Sequence, residues 1–343
     1  MRKTPPKVHA PGGRPGRPPS WIAALAPARP AVTGRWLCGA LLAVQLLGGT
    51  VAQAAVAARM LLLDAAIAGP DIVAVGDRGT ILYSADSGRT WERAATPAGT
   101  VATLAGIAFA PDQRHGWAVG HDALILGTTD GGQTWHKQWQ GDNLEASFLD
   151  VAAIDSQRAI AIGAYGLCRV TADGGRTWTA RQIVDGDYHL NRIVRGPTGT
   201  LYLAGEHGTL RRSRDDGVTW QRIDSPYDGS FYGIQPLGPK TLLAYGLRGR
   251  VFRSRDDGET WEPVALDRPM LIATALPAKN GAIVLAGQAR ALYLSTDGGM
   301  TFLPWADDFS TAVAELLQVP DGTVLAFGEA GATRLHATPP PAR

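Results

Sequence analysis

Two cysteines among 343 residues leave almost nothing for covalent or thiolate-based stabilisation. Cys38 lies in a segment expected to be removed and Cys168 stands alone, so neither an internal disulfide nor a cysteine-based zinc site is expected. Lysine is equally scarce, with only Lys137, Lys240 and Lys279 beyond position 54. The formal charge of +2 misleads. Of the 33 Lys and Arg, seven (Arg2, Lys3, Lys7, Arg14, Arg17, Arg29, Arg35) stand in the first 54 residues, which hold no acid, leaving 26 against all 31 Asp and Glu. A folded part that is net acidic lacks the basic footprint of a nucleic-acid surface, so no nucleic acid is expected as a partner. The seven histidines (His9, His115, His121, His136, His189, His207, His336) show no metal-ligand spacing on one element. No metal and no cofactor is expected. What the chain does have is glycine, 42 residues, well above the roughly 7% of an average protein, and a hydrophobic content of 45% that suffices for a packed core.

The leader reads in three parts. Residues 1 to 35 are rich in Pro, Gly and Arg, Trp36 to Leu47 form an apolar run, and Ala52-Gln53-Ala54 places small residues where a signal peptidase reads them. Residues 1–54 are therefore expected to be a leader cleaved near Ala54, with export to the periplasm or beyond and residues 55–343 as one domain. An uncleaved anchor is the alternative, because uncharged residues continue from Trp36 to Ala58. Cys38 is not placed for lipid attachment, since Arg35-Trp36-Leu37 lacks the small residues that reaction needs.

Beyond the leader one phrase recurs six times, Ser/Thr-x-Asp-x-Gly-x-Thr-Trp, at Ser84 to Trp91, Thr128 to Trp135, Thr171 to Trp178, Ser213 to Trp220, Ser254 to Trp261 and Ser295 to Phe302. Eight residues before each stands a glycine closing an apolar, β-prone run: Gly76, Gly120, Gly163, Gly205, Gly246 and Gly287. A seventh, Gly328, has no phrase after it. Five residues after the glycine comes an apolar column, Ile81, Ile125, Cys168, Leu210, Val251, Leu292 and Thr333. A period of 41 to 44 residues with short strands and one turn signature per unit describes the blade of a β-propeller. The aspartates Asp86, Asp130, Asp173, Asp215, Asp256 and Asp297 are expected to fold the turn by accepting backbone N–H bonds, with the Trp packing where blades meet. Cys168, in an otherwise aliphatic column, reads as a buried, inert thiol. Residues 55 to 343 divide into seven units, of which the last stops before its turn. The segment from Ala57 to Leu62 is expected to supply the missing edge strand; six blades and a loose tail is the alternative.

The line Gly-x-x-Gly-x-Ile/Leu-x-x-Ser/Thr-x-Asp-Gly-Gly-x-Thr-Trp, best kept from Gly163 to Trp178, resembles the photosystem II stability/assembly factor-like propellers, which are grouped with the bacterial neuraminidase (Asp-box) repeat proteins. The resemblance covers about residues 56 to 337. It implies an all-β, seven-bladed, non-catalytic propeller that assists a membrane or envelope protein complex, a photosystem in photosynthetic organisms and another complex, such as a transporter, elsewhere. Propellers with this turn also include sialidases and other glycosidases, so a glycan-active or glycan-binding protein is the competing implication.

Two groups of side chains stand out as candidate contacts. The turn after each glycine opens at the channel mouth opposite the Asp turns and carries Asp77 and Arg78, His121 and Asp122, Ala164 and Tyr165, Glu206 and His207, Leu247 and Arg248, Gln288 and Arg290, and Glu329. Arg78, Arg248 and Arg290 could imitate a sialidase arginine triad, Tyr165 or Tyr232 with Glu206 its nucleophile pair, and Asp122 with Glu206 a glycosidase acid pair. The early Phe/Tyr-Arg-Ile-Pro segment of sialidases is absent. The second group is basic. Leu210-Arg211-Arg212-Ser213-Arg214 aligns with Val251-Phe252-Arg253-Ser254-Arg255 on the next blade, and Arg248 and Arg250 lie close by. Adjacent guanidinium groups suit carboxylate or phosphate recognition, although Asp215, Asp216, Asp256 and Asp257 follow at once and could neutralise them.

Overall fold

A computed structural model describes residues 60–305 and 311–335. The leader lies outside them, and so does His336. Short strands fill the described chain, because each apolar run of four to seven residues is bounded by Gly, Pro, Asp or Ser and cannot extend. The first blade is the antiparallel sheet β1 (Leu62–Ala68), β2 (Asp71–Gly76), β3 (Ile81–Ser84) and β4 (Glu92–Arg93). Five more four-stranded sheets follow: β5 (Leu104–Phe109) to β8 (His136–Gln140), β9 (Phe148–Ala153) to β12 (Thr179–Ala180), β13 (Leu190–Arg195) to β16 (Gln221–Arg222), β17 (Phe231–Pro236) to β20 (Glu262–Val264), and β21 (Ile272–Pro277) to β24 (Leu303–Pro304). The seventh sheet is β25 (Val313–Gln318), β26 (Val324–Gly328) and β27 (Gly331–Arg334). The fold is an all-β, seven-bladed propeller. Among the described residues the seventh sheet has three strands: of the segment expected to close it, Leu62 begins β1 of the first blade, Met60 and Leu61 belong to no strand, and residues 57–59 lie outside the described residues.

The core follows the ring. Seven apolar clusters each span one junction between neighbouring blades, and that of Leu62, Ile72, Leu82, Trp91, Leu325 and Phe327 joins the seventh blade to the first. Each motif aromatic packs backwards onto the preceding blade: Trp91 meets Phe327 edge-on at 5.9 Å, Trp135 joins Val73 and Val75, and Phe302 joins Tyr245 and Val251. Burying these aromatics drives ring closure, since a large ring contributes about 2–3 kcal/mol on leaving water. Cys168 is buried as expected, and burial pushes its thiol up to about 12, leaving no thiolate for chemistry.

The Asp turn works as its residues suggest. In the fifth blade Ser254 Oγ accepts Gly258 N (2.8 Å) and donates to Asp256 Oδ1 (2.8 Å), while Asp256 accepts Thr260 N (2.9 Å) and Thr260 Oγ1 (2.6 Å). The same bonds recur in the other five turns, as at Asp173 and Asp215. The glycine column has a steric cause. A Cβ on Gly76, Gly120 or Gly328 would overlap the carbonyl of the residue just before the inner strand, so that strand enters only where the side chain is missing.

Candidate functional site

The innermost strands line the channel, and each carries a one-residue bulge near its start. A bulge re-aims side chains. Here it sorts them into two layers. The seven bulged residues, Leu63, Ala105, Leu149, Asn191, Tyr232, Ala273 and Ala314, line a cavity of about 350 Å³ at the mouth, together with Leu61, Leu271, Gln288 and Glu329. The next residue of each strand forms the layer beneath: Asp64, Gly106, Asp150, Arg192, Gly233, Thr274 and Glu315.

That second layer crosses the channel. Arg192 of the fourth blade donates from Nη2 to Glu315 Oε2 of the seventh (2.5 Å) and lies 3.6 Å from Asp150 and 3.9 Å from Asp64. The carboxylates also bind backbone of the neighbouring blade. Asp64 accepts Ile107 N and Asp150 accepts Ile193 N, both at 2.8 Å, while Thr274 Oγ1 donates to Glu315 (2.7 Å). Gly106 leaves room, because a Cβ there would come within 2.8 Å of Asp150 Cα. Three carboxylates share one guanidinium in a buried place. Burial, reinforced by the other acids, pushes Asp64 well above the usual carboxylate range and Asp150 above it, against the pull of Arg192. Sequence reasoning missed this cluster. Beneath it a second cavity of about 240 Å³, lined by Asp64, Asp150, Arg192 and Phe109, opens toward the Asp turns, so Arg192 divides the channel.

The turn residues around the mouth do not form one site. Gln288, Glu329 and Tyr232 line the mouth cavity, but Arg78, Arg248 and Arg290 do not. Asp122 lines a separate cleft of about 120 Å³ against Lys137, and Asp77 and His121 use their backbone N–H on Leu61 and Thr103. Tyr165, Glu206 and His207 meet at the junction of the third and fourth blades. There the Tyr165 ring stands edge-on to His189 at 4.8 Å, and His189 Nδ1 lies 3.5 Å from Glu206 Oε1. Among the described residues, seven of the ten exposed large hydrophobic side chains lie on this same face: Leu61, Val101, Leu144, Tyr165, Tyr188, Tyr232 and Leu247.

The basic group separates into two. Arg212 donates from Nη1 to the Asp257 carbonyl (2.6 Å) and from Nη2 to Glu259 (2.8 Å), and Arg214 pairs with Asp257 (2.6 Å). Arg253 does the same one blade on, donating to the Gly298 carbonyl (2.8 Å), and Arg255 lies 3.5 Å from Glu262. These alignments arise because the third strand of one blade clamps the Asp turn of the next; Arg334 of the seventh blade clamps the Ser87 carbonyl of the first in the same way. Arg211 turns back onto the Leu210 carbonyl (3.0 Å). Arg248 and Arg250 differ. They are exposed and, with Arg268, line a cleft of about 430 Å³ on the fifth blade, floored by Val251, Phe252 and Val264, with Asp267 as its one acid. Asp267 accepts the Tyr293 hydroxyl through Oδ1 (2.5 Å), and its Oδ2 lies 3.8 Å from Arg268 Nε.

Residues 136–284 match the family described as photosynthesis system II assembly factor YCF48, and the stretch that carries the family resemblance, Gly163 to Trp178, falls inside that match. Across that stretch the chain is similar to the photosystem II assembly factor-like propellers. Among solved structures, YCF48 bound to a D1 peptide shares 22% identity over 82% of this chain and 94% of its own, with a TM-score of 0.68. YCF48 from Cyanidioschyzon merolae shares 17% over 81% of this chain and 95% of its own, at 0.66. An ancestral GH74 enzyme shares 16% over 81% of this chain and 44% of its own, at 0.63. No curated protein matches. At these identities the solved structures speak for the fold alone.

Proposed function

We propose that this chain is an exported, non-catalytic propeller that holds a protein of a membrane or envelope complex during assembly, gripping an acidic stretch of that partner in the cleft of Arg248, Arg250 and Arg268. The observation that carries this reading is the contrast among the arginines: those at the clamps hold the Asp turn of the next blade, whereas the cleft presents three exposed guanidinium groups over an apolar floor, Arg268 lying 3.8 Å from Asp267 and Arg250 5.9 Å from the Tyr227 ring. Guanidinium groups pair bidentately with carboxylates, and an apolar floor excludes water from such a pair. The binding of a D1 peptide by YCF48 supports a peptide-binding role for this fold. A membrane complex agrees with the expected export. The competing glycan reading puts its chemistry at Tyr165 and Glu206, where His189 stands between the two.

The test is capture of a membrane subunit, identified by mass, from detergent-solubilised envelopes by the tagged wild type and by Arg248→Glu/Arg250→Glu. Reversing two cleft charges should weaken capture at least about tenfold while leaving the melting temperature unchanged. Undiminished capture would refute the cleft. Hydrolysis of an aryl glycoside that disappears in Glu206→Gln would establish the glycosidase instead.

A further inference from the structure

In a repeat protein the informative positions are those where one unit departs from the others. On the mouth face two columns run around the ring just before the inner strands. The residue whose carbonyl accepts the turn N–H is Leu61, Thr103, Ser147, His189, Ser230, Leu271 or Ala312, and the one before it includes a single aromatic, Tyr188. Only the junction of the third and fourth blades places Tyr-His there, and the same junction has Tyr165, Glu206 and His207 at its turns. The five side chains form two neighbouring groups. Tyr165 stands edge-on to His189, which faces Glu206, while Tyr188 packs on His207 at 4.8 Å, and Gly166 N donates to the Tyr188 carbonyl (2.8 Å).

Tyr165 (φ 55°) and His207 (φ 50°) occupy the left-handed region, as do Arg78, Asp122, Arg248 and Ala289 in the corresponding turns of the other blades, so this conformation belongs to the repeat and it is the side chains that differ. Tyr165 leaves 68% of its surface in water and Tyr188 37%, so the rings do not stabilise a core. Glu206, facing His189, is one-third exposed and accepts His189 N through Oε2 at 3.0 Å, and Asp187, next to Tyr188 in the chain, is exposed as well. Aromatic faces with a reachable carboxylate and no Lys or Arg among the five residues attract one class of group, an organic cation.

We infer that Tyr165, Tyr188 and Glu206 form an anchor for an arginine or lysine side chain of a protein partner, one ring offering its face and the carboxylate its oxygen. This site lies on a different blade junction from the cleft at Arg248 and goes beyond the reading proposed for it, so each can fail alone.

The experiment titrates the full chain with N-acetyl-arginine amide, following ring-proton shifts of the tyrosines by NMR, with the uncharged citrulline amide as control. Arginine amide should bind at millimolar concentration and citrulline amide about tenfold more weakly; Tyr165→Ala should weaken the former about fivefold or more. Glu206→Gln, which keeps an oxygen for His189 N, should abolish the preference for the charged probe. Equal binding of the two amides, or no shift with either, would overturn the anchor. Binding of cellobiose or sialyllactose in place of the cation, lost in Tyr165→Ala, would also overturn it and assign the aromatic pair to a glycan.

Discussion

The aspartates of the Asp turns and the carboxylates of the channel are the same chemical group in opposite surroundings. At Asp173, Asp215 and Asp256 a threonine hydroxyl and N–H groups converge on an exposed carboxylate and hold it down to about 2. At Asp64 and Asp150 burial outweighs Arg192 and the bound N–H groups, and both stand above the usual range. The turn spends one acid on organising its own eight residues. The channel spends three acids and one cation on holding blades 1, 3, 4 and 7 to one another. The difference shows that the repeated residues organise each turn and its junction with the next blade, while the acids that break the repeat tie blades across the channel.

The largest effect that would break this contrast is loss of the shared cation. Arg192→Met leaves three buried carboxylates without their shared cation, and removing one side of a buried ion pair costs about 3–5 kcal/mol. Because Arg192 remains about a quarter exposed and the acids can take up protons, about 3 kcal/mol is expected at neutral pH, read as the shift in urea midpoint at constant m-value. The pH signs are opposite in the two regions. A carboxylate raised on folding contributes fully below its unfolded value and loses that contribution as pH rises through the folded one; a lowered carboxylate contributes above its unfolded value and loses that as pH falls toward about 2. Asp64→Asn should therefore flatten the decline of stability on the alkaline side of the curve and leave the acid limb intact. If the acid limb changes instead, the assignment of the two populations is wrong.

The turns and the blade count were legible because six copies of one phrase average out accident. The channel cluster was not, since its column reads Asp, Gly, Asp, Arg, Gly, Thr, Glu and looks like noise until a bulge aligns it. A signal was present: Asp150, Arg192, Gly233, Thr274 and Glu315 each stand thirteen residues before the column glycine. The paired arginines were legible as a pattern and not as a role, because alignment on adjacent blades says nothing of which backbone carbonyl each guanidinium reaches. Arg268 escaped notice because its loop lies outside the repeat.

A middling effect is expected from the turn itself. Ser254→Ala removes the acceptor of the buried Gly258 N–H, and such a loss costs about 1–2 kcal/mol. The equivalent Ser213→Ala should match it within a few tenths, since Ser213 Oγ accepts Gly217 N at the same 2.8 Å. Thermal midpoints of the two variants check this. Unequal losses would mean that the turns are not interchangeable units.

The smallest effect belongs to the exposed arginines at the clamps, and it sharpens the comparison most. Arg214 and Arg255 are 54% and 58% exposed, and each pairs with a carboxylate already within the ring. Exposed pairs of this kind contribute about 0–1 kcal/mol, because water and salt screen the attraction and two long side chains lose freedom in making it. Arg214→Gln/Arg255→Gln should therefore shift the urea midpoint by less than about 1 kcal/mol and leave partner capture at the wild-type level, in contrast to Arg248→Glu/Arg250→Glu. Should the glutamine pair lose capture as fully as the cleft variant while its stability holds, the partner reaches across both blades, and the aligned arginines serve it as well as the ring.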